Sequence, residues 1–226
     1  MKRKLAILVC VVFVVGVLSS GSTWAAKPDK SWKNWFGHFS FGYVAPQDDF
    51  GDFVDDTWTL SGGATWWPGA VGLDFELGWT DFDLSKETIR LINDSLEPPS
   101  TGEVDDGYIT DWSFTVDAIW GPDTSGKVGF YLMGGVGTYY LDGRLTTTGL
   151  VYYPPVCGIN WCYPGWVGTG NIVVGSESSW EFGYNGGIGI NLNLASGSQV
   201  YFEVKYHYID MEESLTYIPF QIGYRW

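Results

Sequence analysis

The stretch TDWSFTVDAIWGP, residues 110–122, decides the fold. Trp112, Phe114, Val116, Ala118 and Trp120 alternate with Asp111, Ser113, Thr115 and Asp117. Side chains two apart share one face of a strand, so this segment is a strand with an apolar face and a polar face. A tryptophan stands at each end of the apolar face. At about 3.3 Å per residue and a tilt of about 45°, the eight steps between them span roughly 19 Å along a membrane normal. That fits two aromatic girdles flanking a lipid-facing band about 25 Å tall.

The same alternation recurs along the chain. GHFSFGYVAP sets Phe39, Phe41, Tyr43 and Ala45 against His38, Ser40 and Gly42. TWTLSGGATWWPG sets Trp58, Leu60, Ala64 and Trp66 against Thr57, Thr59, Ser61 and Thr65. AVGLDFELGWT sets Val71, Leu73, Phe75, Leu77 and Trp79 against Asp74, Glu76 and Thr80. KVGFYLMGGVGTYYLDG, SWEFGYNGGIGINLNLA, SQVYFEVKYHYID and the final YIPFQIGYRW complete a set of eight. The links between them alternate. WPGA, GPDTSG and ASGS are tight turns, whereas the stretches near 46–56, 83–108, 143–178 and 210–215 are longer.

Short links at one end and long ones at the other describe an up-and-down meander. The expected fold is all-β, an eight-stranded antiparallel transmembrane β-barrel. A soluble barrel around an apolar cavity would also alternate. The aromatic ends choose between the two: Trp58 and Trp66 repeat the spacing of Trp112 and Trp120. Trp79, Trp180, Tyr140 and Tyr208 are expected in the outer girdle, and Trp66, Trp120 and Trp226 in the inner one. The other face, rich in Gly, Thr, Asn and acids, poorly suits a dry lipophilic pocket.

Three basic residues, an apolar run from Leu5 to Leu18 and small residues around Trp24 read as a secretory signal peptide, residues 1–25. The run of about 14 residues is short of the roughly 20 a spanning helix needs. The barrel domain is expected over 26–226. The whole chain carries a formal charge of -14, with 12 Lys and Arg against 26 acids, and cleavage removes three more bases. Such a surface repels polyanions, which excludes nucleic acid as a partner. Cys157 and Cys162, in CGINWC, are expected to form a local disulfide in an exported chain. Two thiols without a nearby His make a poor zinc site, so no metal or cofactor is expected.

FYLMGGVGTYYLDG, GYNGGIGINLNL, VYFEVKYHYI and YIPFQIGYRW resemble the OmpA/OmpX-type small outer-membrane barrels. The resemblance covers roughly residues 35–226 and rests on pattern. It implies a bacterial outer-membrane location in a Gram-negative cell. It also implies that the last strand, with Phe220, Ile222, Tyr224 and Trp226 on its apolar face, is the signal read by the barrel-assembly machinery. This chain ends on Trp where such barrels usually end on Phe. Some small barrels act on lipid A through a His with a Ser two residues on; here Ile209 stands at that place after His207. Asp210, Glu212 and Ser214 follow, but no enzyme is expected.

Two candidate sites remain. Asp74, Glu76, Asp111, Asp117, Glu181 and Glu203 should point into the bore with Lys205, Arg225 and His207, and with His38 nearby. They read as a polar network filling the lumen or, alternatively, as a narrow cation-preferring path for small solutes. The long links are the other candidate. Acids crowd PQDDFGDFVDDT, and SKETIRLINDSL reads as a short helix capped by Ser85. The third link, LVYYPPVCGINWCYPGWVG, gathers Tyr152, Tyr153, Trp161, Tyr163 and Trp166 around the two cysteines, as a binding surface or as a lid. The expected role is structural or surface-interacting. Outer-membrane lipid and lipopolysaccharide are the expected surroundings, and an extracellular ligand at the loops is a further expected partner.

Overall fold

The computed structural model describes residues 34–96, 103–121, 127–153, 156–157, 162–163, 166–194 and 197–226, with side chains outside 150–168. Residues 1–25, the expected signal peptide, lie outside the described residues. Eight strands close into one antiparallel barrel: β1 (Trp35–Pro46), β2 (Thr57–Trp66), β3 (Val71–Asp83), β4 (Asp106–Trp120), β5 (Val128–Tyr153), β8 (Trp166–Asn193), β9 (Gln199–Asp210) and β10 (Leu215–Arg225). Between β5 and β8 lies a small hairpin of β6 (Val156–Cys157) and β7 (Cys162–Tyr163). Helices α1 (Asp48–Phe53) and α2 (Lys86–Ser95) sit in the first two long links.

Closure reaches the last residue. Phe39 pairs with Tyr224 and Tyr43 with Phe220, and Gly37 and Trp226 exchange both backbone hydrogen bonds at 3.1 and 2.9 Å. An unpaired edge inside lipid would leave backbone groups without partners, so the final strand must pair throughout its length. Phe220 and Trp226 point outward and are exposed, with Ile222 and Tyr224 half-exposed beside them.

The register places Trp79 opposite Trp112, Trp112 opposite Tyr140, and Tyr140 opposite Trp180. Three of the expected outer-girdle residues thus form one cross-strand row with Trp112. Tyr208 departs from it: it pairs with Tyr184 and stacks on that ring at 4.7 Å. Below the row, Leu77, Phe114, Val136, Ile188 and Phe202 face outward and are exposed, while Glu76, Ser113, Thr115, Tyr201 and Glu203 on the other parity are buried. This inversion, apolar outside and polar inside, distinguishes a membrane barrel from a soluble one.

Two departures from the sequence reading concern the links. The stretch 143–178 is no loop over most of its length. β5 and β8 pair from Val128↔Leu192 out to Tyr153↔Trp166, with a bulge between Leu145 and Thr146. β4 stops pairing at Thr146, so the ribbon runs on about 23 Å beyond it, at about 3.3 Å per residue. The β-branched run in RLTTTGLVYY and NIVVG favours strand, and two such segments face each other in register. The first link, 46–56, is not only solvated acid: α1 carries Phe50, buried against Phe82 with ring centroids 5.1 Å apart. The expected cap of α2 is present, with the Ser85 hydroxyl accepting from the Thr88 N–H at 3.2 Å.

Inside the barrel, large rings lie close against glycines on the neighbouring strand. A Cβ at Gly223 would come within 2.2 Å of the Tyr201 ring, and one at Gly189 equally close to Tyr131. These two glycines let the tyrosines fold across the bore and support Arg225 between them.

Candidate functional site

The bore is filled in three layers. At the short-turn end, Trp67, Ile119, Tyr131 and Met133 form an apolar plug, with Phe36 packed against it. At the long-link end, Val44, Phe50, Val54, Phe82, Tyr139, Leu141, Ile209, Leu215 and Tyr217 form a cap. A charged layer lies between.

Lys205 is the hub of that layer. Its ammonium donates to Glu76 Oε1 at 2.8 Å and lies 3.5 Å from Glu203 and 3.6 Å from Asp117. Ser61 donates to the other oxygen of Glu76 at 2.9 Å, and Asn185 donates to Asp117 at 2.8 Å. Arg225 lies 3.6 Å from Glu203 and donates to Gln199 at 3.4 Å. Its guanidinium also faces the rings of Tyr201, Tyr131 and Trp67, at 4.6, 5.7 and 5.8 Å. A weakly hydrated planar cation tolerates this stacking well. The Tyr131 hydroxyl donates to Glu203 at 2.6 Å. Asp74 accepts from Thr65 at 2.5 Å and lies 3.2 Å from His38 Nε2.

Lys205, Arg225, Asp117 and Asp74 are only 0–2 % exposed. A water-filled path past these side chains would have exposed them. Side chains fill the middle of the bore, as the small diameter of eight strands dictates.

The remaining sequence-predicted bore residues lie higher. Asp111 accepts from the Tyr217 hydroxyl at 2.8 Å. His207 is buried, shares a hydrogen bond of 2.9 Å with the Tyr139 hydroxyl and stacks on Tyr217 at 4.8 Å. Glu181 faces inward opposite Tyr139 but is only half-buried. The rings that complete the bore were not among the residues singled out: Tyr131, Tyr139, Tyr201, Tyr217, Phe82 and Trp67. Except for Trp67, which follows β2, their signal was a large ring on the inward parity of its strand.

The outer rim is acidic. A cavity of 280 Å³ there is lined by Asp55, Asp83, Asp105 and Asp106 with Leu84, Lys86 and Ile89. The second link braces the root of the ribbon: Asp105 N–H donates to the Thr146 carbonyl at 3.0 Å, and Thr148 N–H donates to the Asp105 carboxylate at 2.6 Å. The Thr148 amide holds the Asp105 carboxyl below its usual range. Further out, Ile172, Val173 and Val174 are exposed. The backbone of Tyr152, Tyr153 and Trp166 lies in the ribbon, and that of Tyr163 in β7. Trp161 and the side chains of this aromatic group lie outside the described residues. Cys157 and Cys162 stand directly opposite each other in the β6–β7 hairpin, and their sulfur atoms also lie outside the described residues.

A family model described as "Outer membrane protein beta-barrel domain" matches residues 11–226. No curated relative matches the sequence. Solved structures with similar backbones include Neisserial surface protein A, at 12 % identity and a TM-score of 0.48, covering 85 % of this chain and 96 % of that one. Ail, the attachment invasion locus protein of Yersinia pestis, was solved with the heparin analogue sucrose octasulfate. It is 14 % identical with a TM-score of 0.46, covering 85 % of this chain and 99 % of that one. A major outer membrane protein of Thermus thermophilus is 12 % identical with a TM-score of 0.49, covering 84 % of this chain and 98 % of that one.

Proposed function

The chain belongs to the outer membrane protein β-barrel domain family, and we propose that it is a non-catalytic surface-interaction barrel whose working part is the outer ribbon and rim. The observation that carries this reading is the contrast between the two ends of the site. The bore is closed by buried side chains, whereas β5 and β8 continue as a paired ribbon beyond the rest of the barrel. The protein reaches the outer membrane by export on the signal peptide of residues 1–25. There the assembly machinery reads the strand ending in Trp226, and lipid with lipopolysaccharide surrounds the girdles. A Cys157–Cys162 disulfide stiffens the tip, consistent with the opposed register of the two residues.

His207 supports the absence of catalysis, because it is buried under the cap and stacked on Tyr217. A lipid acyl chain outside the barrel cannot reach it. The acidic rim argues for a partner with cationic character and against a sulfated polyanion. A narrow cation path is the weaker reading, since it requires the charged layer and both apolar ends to rearrange.

Cells displaying the full chain should adhere to an array of extracellular proteins and glycans. Cells displaying a chain in which a two-residue turn replaces residues 149–170 should lose that adhesion. The shortened barrel should still fold, because the barrel pairings of β4 and β9 end below the cut. Adhesion that survives removal of the ribbon would sink the reading.

A further inference from the structure

We propose that the charged layer of the bore is a binding site for one divalent transition-metal ion, held by His38 Nε2 and the carboxylates of Asp74 and Glu76. Two strands supply these groups: His38 comes from β1, and Asp74 and Glu76 from successive inward positions of β3. One donor atom from each lies within 4.8 Å of the others. His38 Nε2 and Asp74 Oδ1 are 3.2 Å apart. Two donors sharing one ion at about 2.1 Å each stand about 3.0–3.4 Å apart, for angles from octahedral to tetrahedral. The pair is therefore already spaced as neighbouring ligands.

Two further observations point to a ligand. First, His38 Nε2 is buried and makes no aligned hydrogen bond, although Asp74 Oδ1 stands 3.2 Å away and the nitrogen faces this cluster. The other ring nitrogen is engaged by the Tyr201 hydroxyl at 3.2 Å. A ligating imidazole is oriented in this way, with one nitrogen tied and the other presenting its lone pair. The ring also lies where Gly63 leaves room, since a Cβ there would come within 2.8 Å of Nε2. Second, the layer is short of positive charge. Asp74, Glu76, Asp117 and Glu203 face Lys205, Arg225 and the His38 imidazole, all buried. With the four carboxylates ionised and the imidazole neutral, two units of negative charge are left to offset in this buried layer. One divalent cation with a neutral imidazole brings the layer to zero.

The donor set fixes the class of ion. One imidazole with carboxylates suits Mn, Fe, Co, Ni or Zn, whereas Ca and Mg prefer all-oxygen shells. Glu76 accepts from Lys205 and Ser61 and still keeps lone pairs for a metal. With an apolar cluster at each end of the bore, the ion enters as the barrel folds and is then trapped.

The test refolds the mature chain from denaturant with Zn²⁺ or Mn²⁺, removes free and rim-bound metal with a chelating resin, and counts metal by mass spectrometry. Folding is confirmed by the different gel mobility of unboiled and boiled protein. The expected result is about one chelator-resistant ion per folded chain, as for a site formed with the fold. His38→Gln and Asp74→Asn should each lower it at least about tenfold, while the rim variant Asp105→Asn should keep it. Because the bore variants could fail to fold, the wild-type protein loaded with Mn²⁺ provides a second readout. Its electron spin resonance should show coupling to an imidazole nitrogen. Folded wild-type protein without retained metal, retention unchanged in His38→Gln, or a retained ion without nitrogen coupling would each overturn the proposal.

Discussion

Replacing Lys205 with Met is expected to destabilise the barrel by about 3–5 kcal/mol, the cost of breaking a buried ion pair from one side. Lys205 is the only ammonium that Glu76, Asp117 and Glu203 share among the described residues, and it is 1 % exposed. Methionine nearly matches its length, so packing changes little and the loss is electrostatic. The three carboxylates would then confront one another with Arg225 as the remaining cation near Glu203. Urea unfolding of the protein in lipid vesicles measures the effect through its midpoint. Adding Glu76→Gln to Lys205→Met should restore part of the loss, because it removes one of the stranded charges. A Lys205→Met protein with an unchanged midpoint would mean that the network does not hold the barrel together.

Phe82→Ala is expected to cost about 3–5 kcal/mol as well, the usual range for emptying a buried aromatic site. Phe82 is fully buried and touches two rings edge-on, Phe50 at 5.1 Å and Tyr217 at 5.6 Å. Its loss removes the floor on which α1 seats Phe50 and the support for the Tyr217–His207 stack. The helix has only six residues, so it cannot hold itself in place without that contact. Proteolysis within 48–53 should therefore quicken in the variant while the urea midpoint falls. Phe82→Leu should lose much less, since it keeps most of the volume. Equal losses in the two variants would show that burial of the ring does not stabilise the cap.

The sequence exposed the wall of this barrel better than its filling. Each strand faces lipid on one side, and lipid tolerates no charge, so the outward parity is apolar in nearly every strand. The row from Trp79 through Trp112 and Tyr140 to Trp180 follows from that rule. Inward placement of Asp74, Glu76, Asp117, Glu203, Lys205 and Arg225 follows from the same parity. The cap and plug did not follow, because a large residue on the inward parity, such as Tyr131 or Phe82, looks like noise in a pattern read for polarity. Only the fold shows that Gly189 and Gly223 stand where those rings need space. The ribbon was obscured by Pro, Gly and Cys near its tip, which read as loop chemistry. Above the membrane no lipid imposes alternation, so the strand signal there weakens to β-branching alone. Phe50 was hidden among the acids of its link, and its contact with Phe82 joins segments whose register no local pattern reveals.

A sealed bore leaves the rim to carry the function. Single-channel recording of the refolded mature protein in a planar bilayer tests it most directly, on protein whose folding is confirmed by gel mobility. A silent bilayer is expected at all moderate voltages. Steady cation-selective steps, abolished when Asp74, Glu76 and Asp117 are neutralised, would contradict it and make the charged layer a permeation path.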